Sequence, residues 1–310
     1  MDLPISGICS FAKQPICTDL DQLDADVAVL GAPLDMGTMY RSGARFGPRA
    51  IREASTLYAF GPEGAYSPED DQYHLSRESV RIVDAGDADI IHTDVAGSFA
   101  NIEKAVRKIL ARGALPVVLG GDHSVHIPCI RAFSDQPPVH VVQVDAHLDF
   151  GKDQEGVTFG HNQPLRRTSE LSHVTGMTQI GIRNFTFSGR GSYEEARAAG
   201  SEIVTMRRAR ELGMAGVLQL IPKGRRYYCT IDIDGLDPAV APGTGSPSPG
   251  GFLYDEVIDL LRGLARRGQV VGVDLVEVAP PYDATGATSL LAAQLLLRFL
   301  GYVFVEKGGI

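Results

Sequence analysis

Short apolar runs recur along the chain, and most are nearly continuous rather than alternating. They fall at 26–31 (DVAVLG), 80–84 (VRIVD), 115–119 (LPVVL), 139–144 (VHVVQV), 178–182 (TQIGI), 202–205 (EIVT), 227–233 (YYCTIDI) and 270–278 (VVGVDLVEV). A strand buried on both faces needs such a run, and parallel sheets bury both faces. Between the runs lie stretches with helical spacing at 47–58, 98–112, 253–266 and 289–304. The first carries Pro48 in its opening turn, where the missing N–H costs nothing. The second places Phe99, Ile102, Ala105, Val106, Ile109 and Leu110 on one stripe. Strand and helix alternate from end to end. The pattern predicts an α/β fold: a single three-layer α/β/α domain on a mostly parallel sheet of about eight strands. No repeat, charge block or Gly/Ser linker marks a second domain. Residues 1–310 therefore read as one domain, with 1–24 as an N-terminal extension packing on it. One long irregular stretch, 237–251 (DPAVAPGTGSPSPGG), follows directly on a strand. It sits at the strand's carboxyl end, where open α/β sheets bind ligands.

Composition narrows the class. Hydrophobic residues make up 44% of the 310 and charged residues 22%, which excludes a mainly disordered chain. The formal charge is −9, from 29 basic and 38 acidic residues, so a phosphate backbone is a poor partner and no nucleic acid is expected. No uninterrupted apolar run reaches the ~18–20 residues that span a bilayer, so no membrane partner is expected. The N-terminus lacks the basic and apolar regions of a signal peptide. Four cysteines (Cys9, Cys17, Cys129, Cys229) show no CxxC spacing. They read as reduced thiols, and a cytoplasmic location is expected.

Chemistry concentrates where three apolar runs end. Gly120-Gly121-Asp122-His123-Ser124 follows LPVVL. Asp145-Ala146-His147-Leu148-Asp149 follows VHVVQV. Asp232-Ile233-Asp234 ends YYCTI, with Asp237 beyond. In an extended strand end, positions i, i+2 and i+4 share one side. Asp145, His147 and Asp149 can thus face a common point, and Asp232 with Asp234 repeats the arrangement. With His123 this makes four carboxylates and two imidazoles at strand ends. Packed together, four carboxylates repel and protonate unless a cation neutralises them. A pair of divalent ions solves that problem. Oxygen and nitrogen ligands without thiolate suit a Mn²⁺-like ion and not a structural zinc site. His126, His140 and His173 read as helix, core or surface residues instead.

These motifs resemble the three metal-binding motifs of the ureohydrolases, the family of arginase, agmatinase, guanidinobutyrase and guanidinopropionase. The run 230–245 (TIDIDGLDPAVAPGTG) is similar to the third motif. The resemblance spans nearly the whole chain, through Gly31-Ala32-Pro33, 42–49 (SGARFGPR), Asp84-Ala85-Gly86-Asp87, 273–280 (VDLVEVAP) and Thr288-Ser289. The agmatinase-like branch is nearest in style. The resemblance implies an arginase-like fold, and it puts His123, Asp145, Asp149 and Asp232 on one manganese. It puts His147, Asp145, Asp232 and Asp234 on the other, so Asp145 and Asp232 would bridge. His161 matches a mobile catalytic histidine, and Glu277 matches the acid that faces the guanidinium group. Asp149 would orient the attacking water. The implied reaction is hydrolysis of a guanidino C–N bond to urea and an amine. The resemblance also implies a homo-oligomer, a trimer or hexamer. Ni²⁺ or Co²⁺ would accept the same ligands.

Three positions depart from the family's usual pattern. Leu148 stands where a small polar residue is common, Phe150 follows the motif, and Asn162 replaces the usual Gly after the catalytic histidine. Leu148, Phe150 and Asn162 are therefore expected to line the substrate pocket. A more apolar wall would favour guanidine, an alkylguanidine or a guanidino acid over a long polyamine tail. Two rivals are an amide or formimino hydrolase on the same scaffold and a catalytically silent subunit. A nucleotide-binding domain is disfavoured, because no Gly-rich phosphate loop follows the first strand.

Overall fold

The computed structural model describes residues 3–153, 155–185 and 187–308. Each of the eight apolar runs contributes a strand: β1 Val27–Ala32, β2 Ile82–Asp87, β3 Leu115–Gly120, β4 Val139–Val144, β5 Val174–Ile182, β6 Ser201–Thr205, β7 Arg226–Asp232 and β8 Gln269–Val276. They form one sheet in the order β2-β1-β3-β8-β7-β4-β5-β6. Every pairing in it is parallel. All carboxyl ends therefore lie along one edge of the sheet. The central four, β3, β8, β7 and β4, are the strands that end in the acidic and histidine motifs.

Helices cover both faces. They are α1 Gly47–Ser55, α2 Val95–Ala111, α3 His126–Arg131, α4 Pro164–Ser169, α5 Arg190–Ala198, α6 Met206–Leu220, α7 Tyr254–Arg267 and α8 Ala287–Gly308. Alternate strand residues feed two separate cores. Val27, Val29, Val117 and Leu119 pack with α7 and α8 residues such as Leu260, Leu264 and Phe299. Ala28, Leu30 and Val118 pack on the other face with Ile102, Val106 and Ile130. That two-sided burial is why the runs read as continuous. α8 is long and apolar enough to cross a membrane, yet two-thirds of it is buried against the sheet and α7, as a core helix is. A short hairpin, Ala65–Ser67 with Gln72–His74, stands outside the main sheet. The segment before β1 is pinned by backbone donors: Phe11 N–H to Asp84 Oδ2 at 2.7 Å and Ala12 N–H to Ser55 Oγ at 2.7 Å.

Candidate metal centre and active site

Strand ends set the site because a parallel strand that stops at the sheet edge leaves its last side chains pointing over that edge. After β3 the chain makes a tight turn through Gly121. A Cβ there would lie 1.8 Å from the Leu34 carbonyl oxygen, so only glycine lets the two loops pass. Asp122 caps the turn, accepting the Ser124 N–H at 2.9 Å and reaching across to the Gly37 N–H at 2.7 Å. His123 follows and is 1% exposed.

The six expected ligands converge. His123 Nδ1 lies 3.1 Å from Asp145 Oδ2, 2.9 Å from Asp149 Oδ2 and 3.3 Å from Asp232 Oδ2. His147 Nδ1 lies 3.0 Å from Asp234 Oδ2 and 3.6 Å from Asp145 Oδ1. Asp145 thus turns one oxygen to each imidazole. Two groups of donors close enough to share an ion result: His123–Asp145–Asp149 and Asp145–His147–Asp234. Asp232 faces the first group with Oδ2, while its Oδ1 accepts the Asp234 N–H at 2.8 Å. Glu277 follows β8. Its Oε1 accepts from His161 Nδ1 at 3.0 Å and from the His123 N–H at 3.0 Å. Asp149 and Glu277 both hold left-handed backbone, with φ of 49° and 64°. Side chains other than glycine adopt that region at a cost, and observed cases cluster at functional sites.

The electrostatics record an excess of buried negative charge. Burial pushes the Asp149 carboxyl up to about 6, and neighbouring Asp145 adds to it. Burial and the adjoining carboxylates likewise raise Asp232, and burial raises Asp234 against the pull of His147. Burial opposes charge on Asp145 too, but the two imidazoles outweigh it and hold that carboxyl low. The imidazoles take up protons in response. His147 rises to about 12 against the cost of burial, and His123 rises well above its ordinary value, both through the facing carboxylates. The donor set fits divalent cations. His123 Nδ1 is buried and ringed by three carboxylate oxygens, yet makes a hydrogen bond to none of them. A cation at that point satisfies all four atoms at once.

The cluster opens into a cavity of about 400 Å³, whose outer wall includes Met39, Lys152, Asn162, Phe187, Ser188 and Ser192. Asn162 therefore lines it. Leu148 and Phe150 do not, and the expectation that they would is corrected. Each is 2% exposed and packs in the core beneath α2, α3 and α4. His147 and Asp149 face the donor cluster, whereas residues 148 and 150 pack into the core on the other side of the chain. The apolar residues at these positions serve packing, so they do not narrow the entrance.

A layer of polar residues behind the ligands escaped the sequence reading. Gln143 donates to Asp145 Oδ2 at 2.6 Å and accepts from Gln179 at 2.7 Å. Thr230 faces the far nitrogen of His123, and Asp274 lies behind Thr230. His126 and Tyr228 both bond Asp274 Oδ2 at 2.8 Å. Arg183 donates to six carbonyls, those of Gly181, Asp234, Gly235, Leu236, Ser248 and Pro249, and so ties the Asp234 turn to the loop beyond it. A signal was available. A polar residue inside a run expected to be buried on both faces must find a partner.

An eight-stranded parallel α/β sheet with a two-ion carboxylate–imidazole centre at its carboxyl edge defines the class of molecule. The chain belongs to the arginase family, whose model matches residues 25–301. It is similar to the mitochondrial guanidino acid hydrolase of Homo sapiens, 37% identical over 303 residues that span 95% of this chain and 82% of that protein. It is similar to the mitochondrial agmatinase of Gallus gallus, 36% identical over 304 residues that span 95% of this chain and 85% of that protein. The solved structure of proclavaminate amidinohydrolase from Streptomyces clavuligerus matches with a TM-score of 0.88 and 35% identity, covering 98% of this chain and 99% of that one.

Proposed function

We propose that this chain is an amidinohydrolase that splits a guanidino C–N bond, releasing urea and an amine. The observation that carries the reading is Asp145, with one oxygen toward each imidazole, buried behind a cavity that His147, Asp149, Asp232 and Asp234 line together with the His161–Glu277 pair. Two divalent ions, Mn²⁺ foremost and Ni²⁺ or Co²⁺ on the same donors, would be held by His123, Asp145, Asp149 and Asp232 and by Asp145, His147, Asp232 and Asp234; when bound, such a pair lowers the pKa of water and stabilises developing negative charge.

The protein's own groups do the rest. Glu277 presents a carboxylate to the guanidinium N–H groups and fixes its plane, since a charge-assisted pair is stronger and more directional than a neutral one. Asp149 accepts a hydrogen bond from the attacking water and aims it. His161 supplies the proton that the departing amine needs. Its Nδ1 faces Glu277, and its Nε2 lies 3.4 Å from the Met39 N–H. In the metal-free protein burial disfavours the imidazolium, but Glu277 prevails and lifts it to about 9. The pairing with Glu277 is the geometry that would let the imidazole hold a proton for the departing amine.

The cavity wall favours a guanidino acid over agmatine. Lys152 and Arg166 share one carboxylate, Glu195, at 2.7 and 2.5 Å, which leaves positive charge beside the opening. Among the described residues lining the cavity, every acid belongs to the ligand set or is Glu277. An ammonium tail finds no acid there outside the site itself, whereas a carboxylate can share Lys152 with Glu195. The complete ligand set speaks against a silent subunit. Homo-oligomerisation as a trimer or hexamer and a cytoplasmic location belong to the same proposal. Exposed Met39 and Phe187 at the opening support the first, and four unpaired cysteines support the second.

The test is urea release from guanidinopropionate, guanidinobutyrate, agmatine, arginine, methylguanidine and guanidine, with Mn²⁺, Ni²⁺ and Co²⁺ supplied separately. Turnover of a guanidino acid above agmatine is expected. Protein that carries two ions and leaves every compound intact overturns the reading.

A further inference from the structure

Behind the metal centre, on the side away from the cavity, lies a hydrogen-bonded chain that no step of the reaction uses. His123 Nε2 is 2.8 Å from Thr230 Oγ1. The Thr230 hydroxyl donates to Asp274 Oδ1. Asp274 is 0% exposed and lies mid-strand in β8, beside Thr230 in β7, where the two residues are paired in register. Its second oxygen accepts from His126 Nδ1 and from the Tyr228 hydroxyl, both at 2.8 Å. Burial opposes its charge, but His126 prevails and holds the carboxyl below its usual value.

The direction of each bond can be counted. Asp274 is a carboxylate and only accepts. The single proton of the Thr230 hydroxyl therefore goes to Asp274. What remains on Thr230 Oγ1 toward His123 is a lone pair, so His123 Nε2 must carry the hydrogen. A neutral imidazole with hydrogen on Nε2 has its free lone pair on Nδ1. Nδ1 is the atom ringed by Asp145, Asp149 and Asp232.

We infer that Thr230 and Asp274 are positioning residues that lock His123 in the tautomer and orientation a divalent ion requires, and that they act on one of the two ion sites and not on the other. The selectivity follows from the contacts. Among the described residues His147 has no such relay: its Nε2 is buried without a partner, and the aromatic ring packed on it is Phe187, at 4.9 Å. Partners of this kind behind a ligating histidine fix the ring and raise its basicity. The inference rests on the two-ion reading of the site but not on the reaction assigned to it.

The experiment is metal binding by the full chain, measured as ion content after dialysis and as chelator-competition affinity for Mn²⁺ and Co²⁺, in wild type, Thr230→Val, Thr230→Ser and Asp274→Asn. Thr230→Val keeps the shape and removes the hydroxyl. One ion per chain should weaken by about 10- to 100-fold while the other is unchanged. Thr230→Ser restores the hydroxyl and should restore both ions, even if it loosens β7 packing. Melting of the metal-free variants serves as the control, because a purely structural role would lower it and weaken both ions together. Asp274→Asn retains an acceptor for Thr230 and should fall between wild type and Thr230→Val. Two ions held by Thr230→Val with wild-type affinity would overturn the inference, as would equal loss at both sites. Wild-type protein that binds two ions but releases no urea would sink the proposed reaction and leave this inference standing.

Discussion

The two halves of the metal centre would share Asp145 and Asp232, and they differ in what surrounds them. The His123 half is sunk between β3, β7 and β4, is 1% exposed, and is braced from behind by Thr230 and Asp274. The His147 half faces the cavity with 12% of its side chain exposed and, among the described residues, has the Phe187 ring against it in place of a polar brace. One half is closed and the other open. Closed sites retain their ions, and open sites leave room for water or substrate. The contrast teaches that a binuclear centre need not be built symmetrically. The sheet interior fixes one ion position, and the loops at its edge complete the other.

Removing Asp145 should break the contrast, because its two oxygens serve both halves. Asp145→Ala is expected to lose both ions, and kcat/KM should fall by about 10²–10³-fold or more, the scale of removing preorganised electrostatic stabilisation. Elemental analysis and urea release together check it. Glu277→Gln should separate ion binding from substrate binding. Glutamine still accepts from His123 and His161 but has no charge, so both ions should stay while kcat/KM drops by about 10- to 100-fold, the difference between a charged and a neutral hydrogen bond in a buried site.

A third test uses pH on the metal-free protein. The folded His161 imidazole titrates near 9 against an ordinary 6.5, a raised value. A raised value means that the ion pair with Glu277 stabilises fully below the unfolded pKa and is lost as pH rises through the folded one. The full contribution is up to about 3 kcal/mol. Urea denaturation of wild type and His161→Gln should therefore differ most below about pH 6.5 and converge above about pH 9; a constant difference would refute the assignment. The smallest effect is expected at the open half. Phe187→Ala removes the ring over His147 and should speed loss of one ion by roughly 2- to 10-fold, from an aromatic contact worth ~0.5–1.5 kcal/mol. Stopped-flow chelation measures it, and equal acceleration of both ions would erase the distinction between the halves.

The sheet was legible because its strands are buried on both faces, so each left a run such as VHVVQV or LPVVL that needs no partner to interpret. The helices α1, α2, α7 and α8 were legible from apolar residues at helical spacing. Others were not. α5 buries only Ala196 among its nine residues, and α6 is interrupted by Gly213 at φ 64°, so neither shows a sustained stripe. At the site, ligand types and spacing were readable as chemistry, while their environment was not. Leu148 and Phe150 were assigned to the wrong side although the i, i+2 rule already excluded them. Gln143, Gln179, Thr230 and Asp274 sit in strands far apart in sequence, and their pairing depends on strand order, which no single run encodes. Arg183 is a stronger case. Its six acceptors are backbone carbonyls, which every sequence has.

Asp149 and Glu277 keep a left-handed backbone, a conformation that penalises a glutamate by about 1–2 kcal/mol and an aspartate somewhat less. Glycine would relax both positions and also relieve the crowding of like charges around them. At Glu277 the lost ion pair with His161 outweighs that relief, so a laboratory lineage selected only for heat resistance in the metal-free state should drift toward glycine at the Asp149 codon first. It would emerge tougher and inert, so any thermostabilisation campaign on this chain must score turnover alongside survival.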